Sequence, residues 1–220
     1  MNRHRDRSAK VGRVFRSKQR PVVYPQAEHM RLSGVIAAAW AEPTPLPFAS
    51  LARGVALHDR GYGELDADPL GEMPQERWLE ITRRGFAAQD VDPIVDLVVA
   101  MHLRRLVSTA PVPVEPEVQR EFDAGLEDRF VAAGVDRDAA AAADEITNLC
   151  DSLAFSFSFE QDASGSIGSI AYTVDRDGSS TLAPWPLRVP ELRETVVGYE
   201  ADGYPERLEP VERDFVLSPA

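Results

Sequence analysis

Three of the four histidines in this chain fall in apolar stretches that read as helices: His29 in "YPQAEHMRLSG", His58 in "VALHDRGYGELD" and His102 in "AMHLRRL". Asp59 follows His58 directly. Asp151 lies in "NLCDSLAFSF", flanked by Leu149, Cys150, Leu153 and Phe155. A carboxylate in so apolar a segment is costly to bury alone, and its partner can be a metal ion, an arginine, a hydroxyl or a backbone cap. Imidazole and carboxylate donors together suit Mn, Fe or Zn, or Mg where oxygen dominates. Each residue also has an ordinary reading. A single helical histidine is most often structural, and one His-Asp dipeptide means nothing by itself. Only the set, spread over several helices, points to one site.

Those helices have recognisable punctuation. A short extended lead-in, "PVVYP", precedes a helix expected over Gln26 to Trp40, and the Pro-rich "AEPTPLP" breaks the chain. A second helix is expected from Pro47 to Gly61, which would end it and leave His58 and Asp59 facing an open pocket. "MPQERWLEITRRGFAAQ" reads as a third. Asp92 and Pro93 open a fourth, "DPIVDLVVAMHLRRLVS". "PEVQREFDAGLEDRFVAAG" makes a fifth helix ended by Gly134, and "DRDAAAAADEITNLCDSLAFSFSF" a long sixth. After Gln161 the pattern alternates around a turn at Asp177-Gly178, and "ETVVGYEAD" reads as another strand. "GYPERLEPVERDFVLSPA" reads as irregular chain or one more edge strand. The expected fold class is mainly α: a bundle of about six helices with a small C-terminal β ribbon or sheet. Residues 21–160 would form the helical domain, and 161–220 a β-rich appendage packed on it.

Composition narrows the function. The chain of 220 residues is 44% hydrophobic and 27% charged, enough to bury a core. No apolar run approaches the length of a membrane span, so no membrane partner is expected. No apolar secretory core follows the basic start, and the cytoplasm is the expected location. Cys150 stands alone, which excludes an internal disulfide and a multi-Cys zinc site. The net charge is −12, yet residues 1–20 carry Arg3, Arg5, Arg7, Lys10, Arg13, Arg16, Lys18 and Arg20 against Asp6. That segment reads as a disordered, solubilising tail, and it is the one place where nucleic acid would bind. The acidic body repels polyanions but admits a small phosphorylated molecule held through a metal.

Taken in order, His29, His58-Asp59, His102 and Asp151 resemble the HD-domain superfamily of metal-dependent phosphohydrolases, over roughly Gln26 to Phe159. The four blocks quoted above are similar to those of an uncharacterised bacterial family of HD-like proteins of unknown function. The resemblance implies an HD-like helical bundle in which His29, His58, Asp59 and Asp151 hold a divalent metal ion. Asp59 and His102 would be its catalytic residues, Asp59 bridging to a second ion and His102 serving that ion or contacting the substrate phosphate. Dinuclear members have two histidines between the His-Asp pair and the last Asp. Here only His102 lies there, so one metal site is expected rather than two.

The neighbours of these residues complete the expectation. Glu28 is placed to fix a histidine tautomer, or to be a surface acid. Tyr62 is placed to cover the pocket, or to pack. Arg104, Arg105 and Asp66 are the candidate substrate-binding residues, the arginines for a phosphate. Asp144 and Asn148 share a helical spacing with Asp151. Cys150 reads as a core thiol rather than a nucleophile. The expected function is hydrolysis of a phosphate ester of a small molecule or nucleotide by a metal-activated water. The alternatives are a non-catalytic binding or interaction module on a degenerate HD fold, and an iron-dependent oxidase. The sequence leaves the substrate, the metal's identity and the oligomeric state open.

Overall fold

Prolines and capping carboxylates set where the helices begin. In the structure, a computed structural model that describes residues 10–11, 15–67, 73–110 and 112–220, α1 (Gln26–Ala38), α2 (Phe48–Ala56) and α3 (Gln75–Ala87) each start directly after a proline. α4 (Pro93–Ser108) starts with Pro93 in its first turn, and the Asp92 carboxylate accepts from the Ile94 N–H. α5 (Pro116–Ala133) ends at Gly134, whose φ of 61° is left-handed. α6 (Arg137–Ser158) is capped by Asp136, which accepts from the N–H groups of Asp138 and Ala139.

The β structure is far larger than a ribbon. Two short strands, β1 (Lys10–Val11) and β4 (Met73–Pro74), pair with each other. The main sheet holds β2 (Phe15–Arg16), β3 (Val22–Tyr24), β5 (Ala163–Ile167), β6 (Ile170–Val174), β7 (Ser179–Ala183), β8 (Leu192–Glu200) and β9 (Pro210–Pro219). Its order is β2-β3-β8-β9-β7-β6-β5. All pairs are antiparallel except β7 with β9, where Ser179 lies opposite Val216. The sheet curls into a half-barrel, so the mainly α, alpha-helical class expected from sequence is wrong: this is a helical layer combined with a seven-stranded mixed sheet.

The physical reason lies in three strands. β2 and β3 are two and three residues long and come from the lead-in, where no alternation can register. They join the sheet through Val22 opposite Glu200 and Val23 opposite Tyr199. β9, expected as irregular chain or an edge, lies inside the sheet between β8 and β7. Proline stands at both its ends, and Glu212, Arg213 and Asp214 fill its middle. Only Phe215 and Leu217 are buried, at its far end. The basic segment expected over 1–20 lies outside the described residues at 1–9 and 12–14, while Phe15 and Arg16 are strand.

One core joins helices to sheet. Leu32, Ile36, Leu51, Val55, Val98, Leu149, Leu153 and Phe157 cluster with Val174, Leu182, Val196, Phe215 and Leu217. Phe157 of α6 meets Phe215 of β9 edge to face, ring centres 5.4 Å apart. A second cluster, including Tyr62, Trp78, Ile81, Leu103 and Phe122, ties α3, α4 and α5 together. α1 and α2 cross closely because Gly34 has no side chain: a Cβ there would lie 2.6 Å from that of Ala56. No described helix is long and apolar enough to cross a membrane.

Candidate metal centre

Four elements deliver the predicted residues to one point. α1 presents His29 on its buried stripe with Leu32, Ser33 and Ile36, the spacing of one helix face. α4 contributes His102 and α6 contributes Asp151. His58 and Asp59 lie just past α2, which stops at Ala56 and not at Gly61. The chain there runs through tight turns, with Arg60 N–H on the Leu57 carbonyl at 2.8 Å and Tyr62 N–H on the Asp59 carbonyl at 3.0 Å. Gly61 takes a φ of +99°, and a Cβ on Gly85 would sit 2.1 Å from the Arg60 carbonyl oxygen. The turn therefore lies against the α3 backbone. Arg60 pins it further, donating to the Gly85 carbonyl at 2.9 Å and to Asp96 at 2.7 Å.

The donor atoms converge. His29 Nε2 is 3.1 Å from His58 Nε2 and 3.1 Å from Asp151 Oδ1. Asp59 Oδ2 is 3.6 Å from His29 Nε2 and 3.7 Å from His58 Nε2, and Asp151 Oδ1 is 3.6 Å from His58 Nε2. Donors each about 2.0–2.2 Å from one ion stand about 2.8–3.6 Å apart in octahedral or tetrahedral geometry. These five separations match that range to within about a tenth of an ångström. The three histidines and Asp59 are buried, and the Asp151 side chain keeps 17% exposure.

Hydrogen bonds define which nitrogen faces inward. His58 Nδ1 is 2.7 Å from the Val55 carbonyl, which only accepts, so Nδ1 carries the proton and Nε2 turns to the centre. His29 faces the centre with Nε2 as well. Its Nδ1 is buried without a partner, and the Phe15 ring packs on it at 4.5 Å. His102 is held differently. Its Nε2 is 2.9 Å from Asp59 Oδ1, and its Nδ1 is 2.9 Å from an Arg105 guanidinium nitrogen. An alternative ligand group of His58, His102 and Asp151 also lies within reach.

Charge follows from this packing. Burial pushes His58 down, but Asp59, Asp151 and the Val55 carbonyl outweigh it, and its pKa rises to about 9. Burial pushes Asp59 up, yet its imidazole partners, His58 first, hold it below the usual carboxylate range. Asp151 is likewise pushed up by burial and held well below that range by His29 and His58. Burial and the nearby His58 charge lower His102. An imidazole of raised pKa therefore lies between two carboxylates held in their charged range.

The flanking candidates fare variously. Asp66 does not point into the centre. It accepts from the N–H groups of Gln26 at 2.7 Å and Ala27 at 3.3 Å, and so caps α1 from across the chain. Arg105 is bound to Asp144 and His102. Arg104 pairs with Asp123 at 2.7 Å on the surface. Both arginines line a cleft of about 680 Å³ between α4, α5 and α6, with Arg137, Phe130 and Asp144. Glu28 fixes no histidine; it takes Arg31 and the Val197 N–H. Tyr62 packs with Trp78 and Ile81, its hydroxyl on Thr82 at 2.5 Å. Cys150 is buried, which pushes its thiol pKa up and away from nucleophilic use. Sequence reasoning missed the Val55 carbonyl, Phe15 and the pinning role of Arg60. Only Arg60, a cation directly behind the His-Asp pair, left a signal.

A family model described as "Protein of unknown function (DUF3891)" matches residues 14–199, and the chain belongs to that family. No curated protein and no solved structure matches the chain. The resemblance to HD-domain proteins therefore rests on the order of His29, His58-Asp59, His102 and Asp151 alone.

Proposed function

We propose that this member of the DUF3891 family binds one divalent metal ion through His29, His58, Asp59 and Asp151, and hydrolyses a phosphate ester of a small molecule there. One observation carries the reading: donor atoms of His29 on α1, His58 and Asp59 in the turn after α2, and Asp151 on α6 converge, with His29 and His58 each 3.1–3.7 Å from the other and from both carboxylates. An ion at that point supplies an acidified water at neutral pH and neutralises charge on phosphate oxygens. The chain does the rest. The Val55 carbonyl keeps His58 Nε2 free to ligate, and Asp59 and Asp151 supply the charge that favours a dication. Asp151, the most exposed of the four, marks the side from which substrate enters. The cleft between α4, α5 and α6, which shares Arg105 with the surroundings of the centre through His102 but none of the four ligands, is the proposed seat for the remainder of the substrate. Its Arg104 and Arg137 rest on the exposed carboxylates of Asp123 and Glu127, surface pairs that are weak and open to exchange for a phosphate.

The test is metal binding followed by turnover. Titration with Mn, Fe or Zn is expected to load one equivalent per chain, and His58→Ala and Asp59→Ala to abolish loading. The loaded protein is then offered a panel of phosphate monoesters and nucleotides. A parent protein that takes up no metal overturns the reading. Metal uptake without turnover on any phosphate ester would leave a binding module.

A further inference from the structure

His102 lies against the same centre, but its hydrogen bonds set it apart from the other two histidines. A guanidinium carries only N–H donors and stays charged at any accessible pH. The nitrogen that faces Arg105, His102 Nδ1 at 2.9 Å, must therefore present its lone pair. The proton of the neutral ring then sits on Nε2, which lies 2.9 Å from Asp59 Oδ1 and donates to it. Arg105 is itself held: its other terminal nitrogen pairs with Asp144, one helix away on α6. His102 is 1% exposed, so water offers little competition for either nitrogen.

We infer that Asp144 and Arg105 lock the tautomer of His102, which makes His102 a positioning donor to Asp59 and not a metal ligand. The consequence falls on Asp59. With Oδ1 occupied by the His102 N–H, Oδ2 is left to face His29 and His58 at 3.6 and 3.7 Å. Asp59 is then a one-oxygen ligand, aimed at a single ion, with no free oxygen to bridge to a second. The His102 lone pair, on Nδ1, stands 3.8 Å from Asp151 Oδ2 but is taken by Arg105, so the alternative group of His58, His102 and Asp151 does not form a second ligand set. The site is mononuclear because Arg105 occupies the nitrogen that a second ion would need. The tautomer stands on the hydrogen bonds alone, whereas its effect on ligation rests on the metal-centre reading.

The experiment is nitrogen NMR of histidine-labelled protein, before and after Zn addition, with Arg105→Met, Arg105→Lys and Asp144→Asn beside the parent. The parent is expected to show His102 with Nδ1 unprotonated and Nε2 protonated, in both states. Arg105→Met should lose that preference and weaken Zn binding about 10- to 100-fold, the usual cost of losing a group that orients a ligand. Arg105→Lys keeps a donor and should recover most of both. Asp144→Asn should loosen both partly, and it serves as the test if Arg105→Met does not fold. An Nδ1-protonated His102 in the parent overturns the inference, as does a Zn-induced shift showing His102 Nε2 as a ligand. Failure of the metal reading looks different: no Zn binds, while the tautomer of the metal-free parent still reports on Arg105.

Discussion

Two clusters in this protein bury carboxylates, and they solve the same problem in opposite ways. Glu160, 2% exposed, is surrounded by permanent cations: Arg20 grips both its oxygens, Arg213 lies at 3.7 Å, and the Tyr24 hydroxyl donates at 2.9 Å. Asp59 and Asp151 are paired instead with imidazoles, groups whose proton can leave. A carboxylate matched by guanidinium is finished within the chain, because arginine does not give up its charge. Two carboxylates matched by histidine are stable only with a proton or a cation among them. The first cluster is therefore a structural joint between the lead-in, the end of α6 and β9. The second is balanced by groups that titrate, as the proposed metal site requires, and the difference can be tested directly.

The largest expected effect is stabilisation by metal. At a hundredfold excess over Kd a bound ion contributes about 2.7 kcal/mol. For a chain of this size that is roughly 5–10 °C in Tm, at about 2–4 °C per kcal/mol. Thermal scans with and without Mn or Zn should show this shift in the parent and lose it in Asp59→Asn. Glu160→Gln should behave in the opposite sense. It should cost about 1–3 kcal/mol by removing the charge that Arg20 grips and Arg213 faces, although the amide keeps one accepting oxygen, and it should leave the metal shift intact. A metal shift that disappears in Glu160→Gln would mean the two clusters are one system.

The next effect is in pH, and the two clusters should respond at opposite ends of the scale. In metal-free protein the His58 pKa is about 9, above its ordinary value of 6.5. Metal must displace that proton, so apparent affinity should rise about tenfold per pH unit between 7 and 9 and flatten above. The same raised pKa stabilises the metal-free fold fully below about 6.5, and that contribution fades as pH rises through about 9. Burial pushes Glu160 up, but Arg20 foremost holds it below its ordinary 4.5. Its contribution is present above 4.5 and fades as pH falls through the lowered value. Calorimetric titration with Zn at several pH values, beside urea denaturation of the metal-free protein, separates the two. A pH-independent affinity would break the assignment of the shared proton to His58.

The convergence of His29, His58, Asp59, His102 and Asp151 was legible in the sequence because the signal is local to each block. A carboxylate among Leu149, Cys150 and Leu153 has to be matched, and three histidines in helical context supply the match. The helix starts were legible for the same reason, since Asp92, Pro93 and Gly134 act within one turn of themselves. What the sequence hid was everything decided by a distant partner. Phe15 and Val22–Tyr24 become strands only because Tyr199 and Glu200 are there to pair with. β9 carries Glu212, Arg213 and Asp214 through the middle of a sheet, and only its neighbours make that a strand. His102 illustrates both cases: its presence at the site was readable, but its role depends on Arg105 and on Asp144 in another helix.

Asp66 gives the smallest effect and the sharpest separation of positioning from chemistry. It was expected to bind substrate, yet both its oxygens are taken by the first N–H groups of α1. Burial raises its pKa, and those two N–H groups offset the rise only in part. The cap matters because α1 begins with Pro25, whose side chain offers no acceptor, and because His29 lies in the first turn that Asp66 secures. Asp66→Ala should therefore cost about 1 kcal/mol, the typical loss of a helix cap, measured by urea denaturation. Asp66→Asn, which keeps an accepting oxygen, should recover most of it. Metal affinity should fall only slightly in Asp66→Ala, since the rest of α1 still holds His29 against α2 and α6. A loss of turnover in both variants, with stability and metal affinity unchanged, would return Asp66 to the substrate and make the cap incidental.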